Sequence, residues 1–468
     1  MYEKMKAEMM AGSEIKATGY FSTNLSAPKV SFEEALLRGL APDKGLYMPE
    51  HIPTIDEQQQ AAFHGMAYYE IAAHVLSAFL GETIPFADLT AMCRDAYTFD
   101  VPLEPAGDNL FILRLDQGPT ASFKDFAARL MARMMNYFMA KEKRHLVILT
   151  ATSGDTGSAV ANAFYGLEHI DVVVLFPLRE VSEVQRRQMT TLHGNVHIAG
   201  IDGKFDHCQA LVKQAFTDQD LARIPLSSAN SINIGRLLPQ TVYYWYAASR
   251  VCSRPGSPVI FSVPSGNFGN LMGGVLARET GLPVQRFIVA TNANKEVPEY
   301  LRTGVYQIIS PSLMCLSSAM NVGHPSNMAR LVALYGGVMD EKGNILRQPD
   351  LQRMRNDFLG VSVTDEETMQ TMTSVWKEKG IILEPHGAVA WKGSMEYLHK
   401  NNTHAKDIPV VVIETAHPGK FPDEVKEATG TLPILPEPLK KIFDKDEQFD
   451  ELENQYPAFK NYLLKMFS

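Results

Sequence analysis

The sequence predicts an α/β protein whose parallel sheets are covered by helices on both faces, and two observations carry that prediction. From about residue 104 onward, short β-branched runs alternate with amphipathic helical segments, the grammar of parallel α/β sheets. Several of these runs end in a loop rich in Gly, Ser, Thr and Asn that opens directly into a helix, so the chemistry should lie beyond the carboxyl ends of the strands.

The elements follow in chain order. The opening "MYEKMKAEMMAGSEIK" lacks the apolar stretch of a secretory signal, and no run approaches a membrane span. The first hundred or so residues are mainly helical in pattern and include "SFEEALLRGLAPDKGLYMPEHIP", a helix ended by Gly39 and a Pro- and Gly-punctuated turn. "GPTASFKDFAARLMARMM" then marks a helix entrance. Ser122 followed by Asp125 has the spacing of a capping box, and Phe126, Leu130, Met134 and Phe138 recur at helical intervals. Strands follow at "HLVILTA", "IDVVVLFP", "GNVHIAGI", "SPVIFSVP" and "IPVVVIET", separated by helices such as "DHCQALVKQAFTD" and "NLMGGVLARETG".

With 468 residues, 45% of them hydrophobic, the chain can bury a large core in two or three domains. A net charge of −9 without a basic run argues against nucleic acid as a partner. Cys93, Cys208, Cys252 and Cys315 are widely spaced with no C-x-x-C, which fits a reducing cytoplasm. His193 and His197 bracket a Gly-Asn pair that runs into a strand, so no metal pair is expected there.

Four stretches carry chemistry. Lys124 falls in the first turn of its helix, where the dipole disfavours an ammonium and favours a neutral amine, the form that condenses with a carbonyl. "TSGDTGSAVANAFYG" places Ser153, Asp155 and Thr156 in a donor-rich loop before a helix. "PSGNFGNLMGG" offers Gly266, Asn267, Phe268 and Gly269 as a phosphate cradle at a helix start, since glycine lets backbone approach an anion closely. "TAHPGKF" puts the Thr415 hydroxyl at a strand end. The P-loop and the G-x-G-x-x-G fingerprint are both missing, so a small phosphate monoester fits better than a nucleotide. Each loop alone is also compatible with an ordinary strand-to-helix turn.

Taken in order, "GPTASFKD", "LTATSGDTGSAVANAFYG", "SANSINIGR", "VPSGNFGN" and "TAHPGKF" resemble the threonine synthases, pyridoxal-phosphate enzymes of the tryptophan-synthase-β type, fold type II. "GLAPDKGLYMP" and "EPHGAVA" extend the resemblance over nearly the whole chain. It implies two parallel-sheet lobes with pyridoxal 5'-phosphate between them. It also implies a Schiff base to Lys124, a coenzyme phosphate cup at Gly266–Gly269, and Thr415 as partner of the pyridine nitrogen. Ser153, Asp155 and Thr156 would face the substrate carboxylate, while Ser231, Asn233 and Arg236 would take the substrate phosphate. Many relatives carry Asn at the place of Asp155, Ala at that of Gly419 and Asp at that of Asn321.

The implied reaction converts O-phospho-L-homoserine and water into L-threonine and phosphate. The expected division is an amino-terminal domain over 1–103, a larger α/β lobe over 104–145 and 256–468, and a smaller one over 146–255. A threonine or serine dehydratase, a non-catalytic sensor of phosphorylated amino acids, and a nicotinamide oxidoreductase are the alternatives, the last opposed by the missing dinucleotide fingerprint.

Overall fold

The computed structural model describes residues 18–152, 154–400 and 408–467. Two sheets organise them. The larger has six strands in the spatial order Phe358–Ser362, Val284–Thr291, Val259–Pro264, Val410–Glu414, Leu110–Arg114 and Leu103–Gly107. All neighbours are parallel except the final pair, which is antiparallel. The smaller sheet has five parallel strands in the order Asp450–Leu452, Val196–Ile201, Ile170–Pro177, Leu146–Ala151 and Leu226–Ser227. The predicted α/β class with parallel sheets is therefore the observed one. The central strands are buried along nearly their whole length, which is why they read as runs dominated by Val, Ile, Leu and Phe.

Two of the expected boundaries need correction. The expectation that everything after 256 belongs to the larger lobe fails at Asp450–Leu452, which pairs in register with Ala199–Ile201 of the smaller sheet. An edge strand can be short and polar, so "DEL" gives no hydrophobic signal. The helical stretch Ile234–Val251, expected in the smaller lobe, packs against the Lys124–Glu142 and Gly269–Glu279 helices beside the larger sheet. Its fully buried Val242, Tyr243 and Tyr244 leave it no solvent face on that side.

The amino-terminal helices Tyr68–Leu80 and Phe86–Ala96 share one continuous core with these elements. At its centre the Phe126 ring meets Tyr68, Phe99 and Tyr243 edge-on, with centroids 5.1 to 5.9 Å apart, and the Tyr97 hydroxyl donates to the Phe126 carbonyl. This anchorage, two residues after Lys124, makes that helix start rigid.

Candidate active site

The loops after the larger sheet's strands converge at its carboxyl edge. Those following Leu110–Arg114 and Val410–Glu414, neighbouring parallel strands, are stitched together. Phe123 donates its N–H to the Thr415 carbonyl (2.9 Å), His417 donates to the Ala121 carbonyl (3.0 Å), and Ser122 bridges Ala416. Ala121 accepts a left-handed φ of 53° to make this turn. Lys124 and Thr415 are thereby brought side by side.

The helix begins at Lys124 itself, but the expected capping box does not form. The Asp125 carboxylate instead folds back to accept from the Thr120 N–H (2.8 Å) and hydroxyl (2.7 Å). Two donors in the preceding loop outcompete the local motif. Gly118 permits that closeness, since a Cβ there would lie 2.3 Å from an Asp125 oxygen.

Asp155 and Thr156 open the helix Asp155–Phe164, whose first amides are held by the Thr152 hydroxyl through Gly154 (2.9 Å) and Gly157 (2.8 Å). Ser153 lies outside the described residues. The Asp155 carboxylate crosses between the sheets. One oxygen stands 3.7 Å from the Lys124 ammonium, while the other takes Lys420 Nζ at 2.6 Å and Gln185 Nε2 at 3.0 Å. Burial opposes its charge, but the two lysines outweigh burial and hold it well below the usual carboxylate range. Burial lowers the Lys124 pKa, with Asp155 pulling the other way and Lys420 and Arg236 reinforcing the drop. The amine is thus biased towards the neutral, nucleophilic form. Lys420 and Gln185 carry no motif spacing towards Asp155. Lys420 lies within a quoted segment, yet its reach of 265 positions back along the chain is a product of topology alone.

At the next strand end, Phe268 adopts a left-handed φ of 63° and launches the helix Gly269–Glu279. Among the described residues, the amides of Gly266, Asn267, Phe268 and Gly269 have no hydrogen-bond acceptor. A Cβ at Gly266 would approach the Ala319 carbonyl oxygen to 2.8 Å. Four open amides at a helix start, in a turn too tight for a side chain at Gly266, fit a phosphate monoester. The cup is braced from behind. Asn267 donates to the Ser231 hydroxyl and accepts from the Ser326 N–H (2.6 Å), while Asn327 donates to the Asn267 carbonyl (2.9 Å). Asn327 is fixed by Arg330 (2.7 Å), a fully buried guanidinium that also reaches the Tyr47 and Ile232 carbonyls. Neither Asn327 nor Arg330 stood out in the sequence, since Asn and Arg near a helix start are ordinary.

Of the three residues expected at the substrate phosphate, Ser231 sits against the cup. Arg236 is buried and, among the described residues, donates only to the Ala229 carbonyl (2.8 Å) and leaves its Nε without a partner. Burial pulls its pKa down to about 10, with Asp125 opposing, so its charge is poorly compensated and suited to an anion. Asn233 does not join them. Fully buried, it caps its own short helix through the Gly235 N–H (2.8 Å) and donates to the Leu36 (2.8 Å) and Ser228 (3.2 Å) carbonyls. Every polar atom of its amide is engaged, which corrects the expectation of a substrate contact.

Beneath Thr415, Glu414 is fully buried with one carboxyl oxygen unpartnered. Burial and the neighbouring Glu384 push it well above the usual value of 4.5, so the fold favours its neutral form. The unfolded chain ionises this group at neutral pH, and folding works against that charge. The cost is present above the unfolded value and vanishes as pH falls through it. Glu414→Gln is therefore expected to raise the melting temperature relative to wild type at pH 7 but not at pH 4, which thermal melts at both pH values check.

Comparison with known proteins gives the family. A family model described as pyridoxal-phosphate dependent enzyme matches residues 100–415, and models for the threonine synthase amino and carboxyl termini match 19–97 and 387–463. The chain is 40% identical to a Haemophilus influenzae threonine synthase over 94% of its own length and 99% of the relative's, and 37% identical to the Escherichia coli enzyme over 93% and 97%. The crystal structure of a threonine synthase from Brucella melitensis, bound to pyridoxal phosphate, superposes with a TM-score of 0.90 at 38% identity, covering 96% of this chain and all of that one. With matches over nearly its whole length, the chain belongs to the threonine synthase family of pyridoxal-phosphate dependent enzymes.

Proposed function

We propose that Lys124 anchors pyridoxal phosphate covalently and then carries protons during turnover. The Gly266, Asn267, Phe268 and Gly269 amides hold the coenzyme phosphate, and the Thr415 hydroxyl faces its pyridine nitrogen. The reaction is conversion of O-phospho-L-homoserine and water to L-threonine and phosphate, the last step of threonine biosynthesis. When bound, the coenzyme supplies an electron sink for charge developed on the substrate. The chain's own residues do the rest. Lys124, on a rigid helix start, removes and returns substrate protons as a neutral amine. Thr415, a hydroxyl where a carboxylate would force the ring nitrogen to stay protonated, leaves that nitrogen free to be neutral. Ser231 and Arg236 receive the substrate phosphate, and Asp155 and Thr156 face the substrate carboxylate. The observation that supports this most is the stitching of the Lys124 loop to Thr415.

Phosphate release from O-phospho-L-homoserine, with threonine identified as the product, tests the reading. Saturation by threonine or serine with no response to the phosphorylated substrate would turn it into a dehydratase. Arg236→Leu is expected to keep the coenzyme and its colour while lowering kcat/KM by roughly tenfold or more, since a lost charged hydrogen bond costs about 1.5–3 kcal/mol. An unchanged kcat/KM would move the substrate phosphate to other donors.

The same proposal treats residues to about 103 as the amino-terminal domain. The smaller lobe is built on the Leu146–Ser227 strands with Asp450–Leu452 added, and the larger lobe holds the remainder. Cytoplasmic residence is supported by four free cysteines, and no nucleic-acid partner by the net charge of −9. No described helix is long and apolar enough to cross a membrane.

A further inference from the structure

We propose that Lys420 is a positioning residue that engages Asp155 across the two sheets and so lets the Lys124 nitrogen lose its proton. The site holds more cations than its chemistry needs. Lys420 has a fully buried side chain, with its ammonium 2.6 Å from one Asp155 oxygen and 3.1 Å from the Thr120 carbonyl. Lys124 stands 3.7 Å from the other Asp155 oxygen. Two ammonium groups thus share one carboxylate. The charged groups acting on Lys124 are Asp155 on the opposing helix, Lys420 after the Thr415 strand, Arg236 from the phosphate loop, and Glu384 beneath. Asp155 faces the two lysines and the neutral Gln185. Removing the Lys124 proton leaves Asp155 and Lys420 as a balanced ion pair at 2.6 Å.

The geometry gives Lys420 a specific task. A buried carboxylate within 4 Å of an amine favours its ammonium form, which can neither condense with a carbonyl nor take a proton. Alone, Asp155 would therefore disable Lys124. With Lys420 at hydrogen-bond distance, the carboxylate stays ionised and satisfied, and its field at Lys124 is offset by an opposing charge. Lys420 also donates to the Thr120 carbonyl, in the loop that leads into Lys124, and Gln188 from the smaller lobe donates to that same carbonyl (3.0 Å). The clamp is thus tied mechanically as well as electrically to the lysine that it tunes.

This inference rests on Lys124 as coenzyme anchor, and a cycle of variants separates the two. In coenzyme-loaded full-length protein, the visible absorption is followed against pH, and the midpoint reports protonation at the Lys124 nitrogen. Lys420→Met is expected to move the midpoint up by about one pH unit or more, and Asp155→Asn to move it down by a similar amount. The double variant, in which both charges are gone, should return close to wild type, and Lys420→Arg should stay there. Should Lys420→Met fail to fold, Asp155→Asn against the double variant isolates the same contribution, because removing both ends of a buried pair leaves no orphaned charge. A midpoint unmoved between those two, or between wild type and Lys420→Met, overturns the role of Lys420. A purely structural lysine would change stability and coenzyme content without this opposed pair of shifts. Failure of the anchor itself reads differently, as coenzyme fixed by borohydride to a peptide other than the one holding Lys124.

Discussion

Lys124→Ala protein is expected to be colourless after incubation with pyridoxal phosphate and to turn over O-phospho-L-homoserine at least roughly 1000-fold more slowly than wild type, the scale of losing a nucleophile and a general base together. The substitution should not unfold the protein. Alanine is the better helix former, the contacts of the ammonium among the described residues are the 3.7 Å ion pair with Asp155 and the Phe123 ring, and the helix start is held by Phe126 in its ring cluster and by the Tyr97 hydroxyl. Melting curves should therefore overlay within a few degrees while the visible absorption vanishes. Borohydride treatment of wild type should fix the coenzyme to the peptide holding Lys124. Lys420 is the internal control, a second buried amine within reach of the same carboxylate. Label on the Lys420 peptide, or a coloured and active Lys124→Ala protein, would reassign the anchor.

The parts of this molecule that could be read from its sequence are those where local pattern and tertiary need coincide. In "IDVVVLFP" the residues from Val172 onward are apolar because that part of the strand Ile170–Pro177 is covered on both faces. "GNFG" reads as a cradle because glycine is the residue that permits the approach seen at Gly266. Where local and tertiary demands part, the reading fails for a physical reason. Ser122 and Asp125 have capping-box spacing, yet the Thr120 donors claim the carboxylate. Asn233 sits in the polar segment "SANSINIGR", yet its amide is spent on Leu36, which lies 197 positions earlier in the chain. Lys420, Gln185 and Arg330 act through partners distant in sequence, and neither periodicity nor spacing encodes such contacts.

Gly269→Asp is expected to weaken pyridoxal phosphate binding by roughly 1000-fold while leaving the fold intact. The steric side is mild. Gly269 opens the helix Gly269–Glu279, and the nearest atoms a Cβ there would meet are Gln240 Nε2 at 3.4 Å and Asn327 Nδ2 at 3.7 Å, both ordinary van der Waals distances. An aspartate at a helix amino terminus is moreover intrinsically favourable, so stability should hold or rise in coenzyme-free protein. The electrostatic side is severe. A carboxylate about 4 Å from a phosphate charge, at the effective dielectric of a protein site, is repelled by about 4 kcal/mol per charge pair, and salt screens little at that range. The new side chain can also accept from the Gly269 helix amides and occupy the cup itself. Gly269→Asn separates these contributions, since it keeps the volume and removes the charge, and it should recover most of the lost affinity. Coenzyme titrations followed by visible absorption measure all three proteins. Equal affinity in wild type and Gly269→Asp would place the phosphate away from this helix, and equal losses in the Asp and Asn variants would make the effect one of space rather than of charge.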